Sequence, residues 1–120
     1  MPLTIADADI EKGTITLVVQ KVGLSSTKLC NLNEGDEIHD VVGPLGNPTH
    51  IENFGTVLCA GGGVGVAPML PIIKALKAAG NRVLSVIAGR SKDLVIMEDE
   101  VRASSDELII MTDDGSYGEK

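Results

Sequence analysis

Three short apolar segments lie in the second half of the chain and are separated by two segments with helical periodicity. The apolar segments cover residues 56–60, 83–88 and 108–112, and in each of them apolar residues run on without alternating polar ones. Continuous apolar runs of this length are typical of parallel strands that are buried on both faces. The pattern therefore predicts an α/β fold in which three parallel strands form part of a Rossmann-like sheet, in β-α-β-α-β order.

The two helical segments have apolar positions three or four residues apart. Residues 67–79 carry one apolar stripe, with lysines on the opposite face, and end at Gly80. That stripe consists of Met69, Ile72, Ile73 and Leu76. Residues 93–103 carry a second stripe, which consists of Leu94, Met97 and Val101. We expect both stripes to face the sheet.

The first fifty residues have a different pattern, in which β-branched segments alternate with turns. Residues 14–20 and 37–42 are predicted strands, and residues 25–32 are a predicted short helix with hydroxyl residues at its start. The second of these strands ends at the Gly-Pro-Leu-Gly sequence of residues 43–46. Because this mostly β pattern gives way to the α/β pattern near residues 51–55, we divide the chain into domains at 1–52 and 53–120.

A glycine-rich loop connects the first apolar strand to the first helix. Residues 61–68 read Gly-Gly-Gly-Val-Gly-Val-Ala-Pro, so backbone N–H groups there can approach a pyrophosphate closely while the helix dipole favours its charge. The predicted ligand-binding positions are Gly61, Gly62, Gly63, Gly65, Ala67 and Pro68. The spacing departs from G-x-G-x-x-G, since the third glycine position is taken by Val66 or Pro68. A tight turn without a ligand is the alternative interpretation.

Composition excludes several classes of function. A formal net charge of −7 disfavours nucleic acids and anionic membranes as partners, because the overall field repels them. No apolar segment of about 18 residues and no secretion signal is recognisable, which predicts a cytoplasmic protein. Cys30 and Cys59 lack the spacing of a metal site, and the two histidines have no paired nucleophile. We therefore predict neither a metal centre nor a catalytic side chain.

Three motifs follow one another in the order found in one superfamily. They are the Gly-Pro-Leu-Gly sequence of residues 43–46, the glycine loop, and the Thr-Asp-Asp-Gly-Ser sequence of residues 112–116. Together they resemble the ferredoxin-NADP reductase superfamily. The nearest branch holds the electron-transfer subunit of dihydroorotate dehydrogenase, the gamma subunit of sulfhydrogenases and the small subunit of NADH-dependent reduced ferredoxin:NADP oxidoreductase (sulfide dehydrogenase). The resemblance implies part of a flavin-binding antiparallel β barrel over residues 1–52, followed by part of a nicotinamide-nucleotide-binding domain over residues 53–120.

The resemblance also implies which residues contact the cofactors. Those implied to border the flavin are Pro2, Leu3, Thr4, Gly23, Ser25, Ser26, Thr27, Gly43, Pro44, Leu45 and Gly46. Those implied to border the nucleotide, beyond the glycine loop, are Gly89, Arg90, Thr112, Asp113, Asp114 and Gly115. From the residues alone, a solvated surface arginine remains the alternative at position 90. An exposed acidic turn is the alternative at positions 113 and 114.

The function implied by the resemblance is electron transfer. The intact subunit is expected to move electrons from NAD(P)H through FAD to an iron–sulfur centre or ferredoxin, with a larger redox subunit or ferredoxin as partner. The [2Fe–2S] centre is expected to lie outside this chain, which would correspond to the middle of a longer subunit. These residues alone are expected to be inactive, to bind cofactor weakly or not at all, and to self-associate through exposed strand edges. A dinucleotide-binding or partner-binding module without turnover is the alternative function.

Overall fold

The computed structural model describes residues 3–120 and contains one antiparallel and one parallel sheet. Its strands are β1 (Ile5–Asp9), β2 (Thr14–Leu17), β3 (Thr56–Gly62), β4 (Arg82–Gly89) and β5 (Glu107–Thr112). Its α-helices are α1 (Leu24–Cys30), α2 (Val66–Ala78) and α3 (Glu98–Ser104). Single 3-10 turns cover Gly63–Gly65 and Lys92–Leu94. The predicted β-α-β-α-β arrangement and the α/β fold class are confirmed.

The parallel sheet has the strand order β3-β4-β5, with α2 and α3 as the crossovers. In its register Cys59 lies beside Ser85, and Ser85 lies beside Leu108. Right-handed crossovers between strands in sequential order bring both helices to the same face of a sheet. In agreement with this, α2 contacts β3, β4 and α3, whereas α3 contacts β4 and β5. The carboxyl ends of the three strands lie along one edge.

The hydrophobic core lies between the two helices and the inner face of the sheet. Leu70 and Ile73 of α2 pack there with Val83 and Ile87 of β4, and all four are fully buried. The stripe predicted for α2 is largely confirmed, with Leu70 added to it and Ile72 only partly buried. Aliphatic burial of this kind supplies about 1.5–3 kcal/mol per side chain. The packing of this core fixes the positions of the parallel strands, and therefore of their carboxyl ends.

The outer face of the parallel sheet is not covered by the described residues. Leu58 is 69% exposed and Ile109 is 49% exposed, although both stand in predicted strands. The prediction that these strands are buried on both faces is therefore wrong for residues 3–120. The reason is topological, since both crossovers lie on the inner face.

The second helical segment is interrupted rather than continuous. The prediction of one helix over residues 93–103 is wrong, because α3 begins at Glu98 and a separate 3-10 turn covers Lys92–Leu94. Met97, with φ at 58°, lies in the left-handed region between the two. Leu94 is half exposed, so the predicted buried stripe reduces to Val101 and a partly buried Met97.

The first module consists of a short hairpin followed by α1. β1 and β2 pair antiparallel, and Ala6 of β1 is fully buried where this strand packs on α2. The predicted strand over 14–20 ends early, at Leu17, and the predicted helix over 25–32 corresponds to α1. The predicted strand over 37–42 is wrong: the backbone there is irregular, and within residues 3–120 it pairs with no other strand. Val41 and Val42 are accordingly exposed.

Candidate nucleotide-binding site

A cavity of about 610 Å³ opens at the carboxyl ends of β3 and β4. Open parallel sheets bind ligands at this edge. The glycine loop and the end of β4 line one part of the cavity, and the residues that follow β2 line another. The lining residues are Val18, Val19, Gln20, Gly62, Gly63, Val64, Ala88, Gly89, Arg90, Asp93, Leu94, Ile96 and Asp113.

The glycine loop leaves its backbone accessible. A Cβ atom built at Gly63 or Gly65 would meet no atom of residues 3–120 within 4 Å, and one at Gly62 would meet the Ala88 carbonyl oxygen at 3.9 Å. The space that these side chains would fill is therefore open. Gly61 differs, because its Cβ would lie 3.3 Å from both the Gly65 carbonyl oxygen and the Met69 Sδ. The absence of a side chain at Gly61 thus allows its close approach to the Gly65 carbonyl and to Met69 of α2.

The start of α2 lies directly behind this loop. The helix has 13 residues, and in the described chain it has no side-chain cap and no acidic residue in its first turn. No side chain of residues 3–120 accepts a hydrogen bond from its first backbone N–H groups, although the Val66 N–H donates to the Gly63 carbonyl oxygen of the preceding 3-10 turn and Pro68 has no N–H. No acidic side chain in its first turn neutralises the positive end of its dipole. Such a helix start favours an anionic group.

The end of β4 is held close to the segment that follows it. A Cβ atom at Gly89 would approach the Leu94 carbonyl oxygen to 2.9 Å, so glycine is required there for the chain to turn back over the strand. Arg90, the next residue, lines the cavity and is exposed. Among residues 3–120 its guanidinium forms no ion pair, which leaves it available to an anionic ligand.

The loop after β5 contributes Asp113 to the cavity. The Asp113 N–H donates to the Gly89 carbonyl oxygen at 3.1 Å, which fixes it beside the end of β4. Thr112 is buried, and its Oγ1 donates to the Tyr117 carbonyl oxygen at 2.6 Å, away from the cavity lining. Asp114 also lies outside the lining. Hydrogen bonds from the hydroxyl and then the backbone N–H of Ser116 lower the pKa of the Asp114 carboxyl.

Known proteins include relatives of this chain, although no protein-family model matches it. The chain is 53% identical over 120 residues to the dihydroorotate dehydrogenase B (NAD(+)) electron transfer subunit homolog of Thermotoga maritima. It is 39% identical over 122 residues to the dihydroorotate dehydrogenase B (NAD(+)) electron transfer subunit of Streptococcus thermophilus. The chain is a homologue of these electron transfer subunits. The family resemblance predicted from the motifs is therefore confirmed.

A solved structure shows that the similarity extends to the fold. The structure of an NADH-dependent reduced ferredoxin-NADP oxidoreductase, described for flavin-based electron bifurcation, matches with a TM-score of 0.93 at 48% identity. It covers 100% of this chain, and this chain covers 43% of it. The match to the two subunits covers 100% and 99% of this chain but 42% and 47% of theirs. The chain thus spans less than half the length of these relatives.

The cavity brings together only part of the predicted site. Gly62, Gly63, Gly89, Arg90 and Asp113 line it. The other nucleotide positions lie nearby in the chain but outside the lining, namely Gly61, Gly65, Ala67, Pro68, Thr112, Asp114 and Gly115. Ala67 is buried in the first turn of α2, so its contribution is to helix packing.

The predicted flavin positions do not line this cavity. Leu3 and Thr4 precede β1, Gly23 precedes α1, and Ser25, Ser26 and Thr27 lie in α1. Ser26 is buried, and its hydroxyl already accepts hydrogen bonds from the N–H groups of Val22 at 3.0 Å and Gly23 at 2.9 Å. Gly43, Pro44, Leu45 and Gly46 lie in the exposed irregular segment. Pro2 lies outside the described residues.

Several lining residues were missed by the sequence analysis. Val18, Val19 and Gln20 follow β2 and reach the glycine loop only through the packing of β1 on α2, for which local sequence carries no signal. Asp93 could have been predicted as a lining residue, since it is an acidic residue shortly after the second parallel strand.

Within residues 3–120, no helix has the length and apolar character needed to cross a bilayer.

Proposed function

We propose that this chain binds a nicotinamide dinucleotide at the carboxyl edge of its parallel sheet. The observation that carries the proposal is the open space over Gly62 and Gly63, both of which line the cavity, next to a start of α2 that has no side-chain cap. Backbone N–H groups without side chains beside them suit a pyrophosphate, which needs close approach and donors rather than bulk. The chain's net charge of −7 makes such local capture necessary.

Separate residues would hold the other parts of the nucleotide. Arg90 would pair with a ribose or phosphate group, and its exposed position in the cavity lining supports this role. Asp93 lines the same cavity and can accept hydrogen bonds from ribose hydroxyls. Asp113, together with the rest of the loop from Thr112 to Gly115, would border the nicotinamide end.

For the intact protein we propose electron transfer between NAD(P)H, FAD and an iron–sulfur centre or ferredoxin. The names of the relatives and the motif resemblance support this function. FAD would supply the conversion of a hydride into single electrons, while the protein would bind and orient the cofactors. The predicted flavin positions from Leu3 to Gly46 would border it. Val18, Val19 and Gln20 support this arrangement, because they place the first module against the same cavity as the glycine loop.

An iron–sulfur centre would need ligands outside these residues. Four thiolates hold a [2Fe–2S] cluster in most proteins. The chain has two cysteines, Cys30 at the end of α1 and Cys59 within β3. We therefore propose that the cluster, and the larger redox subunit or ferredoxin that accepts its electrons, are supplied by other parts of the assembly.

The experiment is calorimetric titration of the purified protein with NADH and NADPH, for the wild type and for Gly62→Ala. Gly62 has an ordinary φ of −127° and room for a Cβ atom, so its replacement should leave the unfolding midpoint unchanged. A methyl group over the loop should weaken binding by about tenfold or more, since it blocks the backbone from the pyrophosphate. A wild type that binds neither nucleotide, or a variant that binds as the wild type does, would contradict the proposal.

A second candidate is a dinucleotide-binding module without turnover. One observation favours it, namely that the predicted flavin positions lie outside the cavity. Adding FAD and recording the visible spectrum separates the two functions. Uptake of FAD, followed by bleaching of the flavin absorbance on addition of NADH, supports electron transfer. Nucleotide binding without flavin uptake supports the module.

A further inference from the structure

The Tyr117 side chain connects the loop after β5 to helix α3. Its hydroxyl donates a hydrogen bond to Glu98 Oε2 at 3.0 Å, and the same oxygen accepts from the Arg102 guanidinium at 3.0 Å. The Tyr117 ring is half buried against the edge of the core. Glu98 stands at the first position of α3, so the contact joins the loop to a helix that is itself packed on the sheet.

The backbone N–H and carbonyl groups of Tyr117 are also held by hydrogen bonds. Thr112 Oγ1 donates to the Tyr117 carbonyl oxygen at 2.6 Å and accepts from the Tyr117 N–H at 3.1 Å. The chain then returns at once to β5, where the Glu119 N–H donates to the Ile110 carbonyl oxygen at 2.8 Å. Both ends of the loop from Thr112 to Tyr117 are therefore held by the last residues of β5.

The loop also fixes the segment that follows β4. The Lys92 N–H donates to Ser116 Oγ at 2.8 Å, and the Lys92 ammonium lies 5.2 Å from the centroid of the Tyr117 ring. A cation at this distance from an aromatic face is attracted to it. Lys92 begins the 3-10 turn that carries Asp93 and Leu94, both of which line the cavity.

Tyr117 thus lies at the junction of two cavity-lining segments without lining the cavity itself. Asp113 lies on one of these segments, and Asp93 and Leu94 lie on the other. We infer that Tyr117 is a positioning residue of the nucleotide site. Its hydrogen bond to Glu98 holds the loop after β5 on α3, and so keeps Asp113 in one position beside the segment that carries Asp93 and Leu94. This inference rests on the proposed function, because it assigns a role within the proposed nucleotide site.

Removing the Tyr117 hydroxyl should weaken binding of the nicotinamide end of the ligand more than binding of its pyrophosphate. The ring would keep its packing and its contact with Lys92, but the loop would lose its connection to α3. Contacts that Asp113 and its neighbours make with the nicotinamide end would weaken, whereas the glycine loop would still hold the pyrophosphate. Couplings of this kind are worth about twofold to thirtyfold in affinity. We expect Tyr117→Phe to weaken NADH binding about fivefold.

The experiment measures NADH and ADP-ribose binding to the purified protein by calorimetry. ADP-ribose carries the pyrophosphate but lacks the nicotinamide, so the ratio of the two dissociation constants reports on the nicotinamide end. The variants are Tyr117→Phe, Glu98→Ala and Glu98→Gln. Arg102→Ala is the matched control, because it removes the other partner of Glu98 and leaves the Tyr117 hydrogen bond in place. Thermal unfolding of each variant checks folding.

The inference requires a specific pattern of results. Tyr117→Phe and Glu98→Ala should weaken NADH binding without changing ADP-ribose binding, and their double variant should be no weaker than either one. Glu98→Gln should bind NADH as the wild type does, because the glutamine oxygen still accepts from the hydroxyl. Equal losses for both ligands would reduce Tyr117 to a structural residue, and unchanged NADH binding would remove the role altogether. A wild type that binds neither ligand would instead overturn the proposed function, and the inference with it.

Discussion

The carboxamide oxygen of Asn81 accepts a hydrogen bond from the Phe54 N–H at 2.7 Å, although 27 residues separate the two in the chain. The same oxygen accepts from the Gly55 N–H at 3.1 Å, and the carboxamide nitrogen donates to the carbonyl oxygens of Glu52 and Leu76 at 2.9 and 2.8 Å. One side chain thus joins the segment before β3 to the end of α2. Asn81 is only 2% exposed, so water cannot substitute for these contacts.

We expect Asn81→Ala to lower the free energy of unfolding by about 2–4 kcal/mol, because three partly buried backbone groups of residues 52–55 and the buried Leu76 carbonyl lose this partner. Urea denaturation followed by circular dichroism measures this loss. Asn53→Ala is the matched control. The Asn53 carboxamide accepts from the Gly55 N–H in an exposed position, so its removal should cost less than about 1 kcal/mol. Equal losses for the two variants would show that burial of Asn81 is not the cause.

Gly89→Ala should destabilise the protein, whereas Gly62→Ala should not. The two glycines stand at the carboxyl ends of neighbouring strands, but a Cβ atom at Gly89 would approach the Leu94 carbonyl oxygen to 2.9 Å. The segment after β4 would have to shift, at a cost of about 1–3 kcal/mol. The unfolding midpoints of the two variants, measured side by side, test this. Similar midpoints would mean that the segment is free to move.

Arg90→Ala should weaken nucleotide binding about tenfold, because a charge-assisted contact to the ligand is lost. Arg82→Ala is the matched control. Arg82 lies at the opposite end of β4, where it pairs with Glu107 at 3.5 Å on the exposed surface. Titrations with NADH at low and high salt measure both the affinity and its ionic-strength dependence. If Arg90 acts as an ordinary solvated arginine, the two variants will bind alike.

The stability of the fold should decrease in acid through two ion pairs to α2. Lys74 donates to Asp7 of β1 at 2.8 Å, and Lys77 donates to Asp106 at 2.5 Å. These hydrogen bonds are the main cause that lowers the pKa of each aspartate below its ordinary value. A carboxyl whose pKa is lowered by folding stabilises the protein above its unfolded-state pKa, and this contribution is lost as the pH falls through the folded-state pKa.

We therefore expect the free energy of unfolding to fall below about pH 4. Both pairs are well exposed to solvent, so each effect should be small. The Asp106 carboxylate also accepts from the Val83 N–H at 2.7 Å, which makes it the stronger test. Asp106→Asn should show a smaller loss between pH 7 and pH 3 than the wild type in urea denaturation. An identical loss would exclude Asp106 as a source of the acid sensitivity.

Self-association should occur through the uncovered parts of the parallel sheet. Among the described residues β3 pairs only with β4, and the outer face exposes Leu58 and Ile109. Unpaired edges and apolar faces favour contacts between copies. Light scattering over a concentration series should show association that Leu58→Lys reduces. A wild type that stays monomeric at high concentration would contradict this expectation.

The order of elements in the second half of the chain was predictable because it depends on local patterns. Apolar runs and helical stripes specify β3, α2, β4 and β5 within a few residues of their bounds. The break before α3 was not predictable from helical periodicity, since Met97 adopts a left-handed φ of 58° that the apolar stripe does not indicate. The strand predicted over residues 37–42 does not form, because a β-branched run becomes a strand only where another strand pairs with it.

The sequence by itself determined the bare glycine loop, the parallel strands on either side of it and the family to which they point, because each depends on residues close together in the chain. Only the tertiary structure decided which predicted positions share a cavity. It brought Gly62, Arg90 and Asp113 together, added Val18 and Asp93, and placed the hydroxyls of Ser26 and Thr112 in backbone hydrogen bonds. The physical reason is that a binding site is a set of distances between separate elements, and those distances are set by how the core packs.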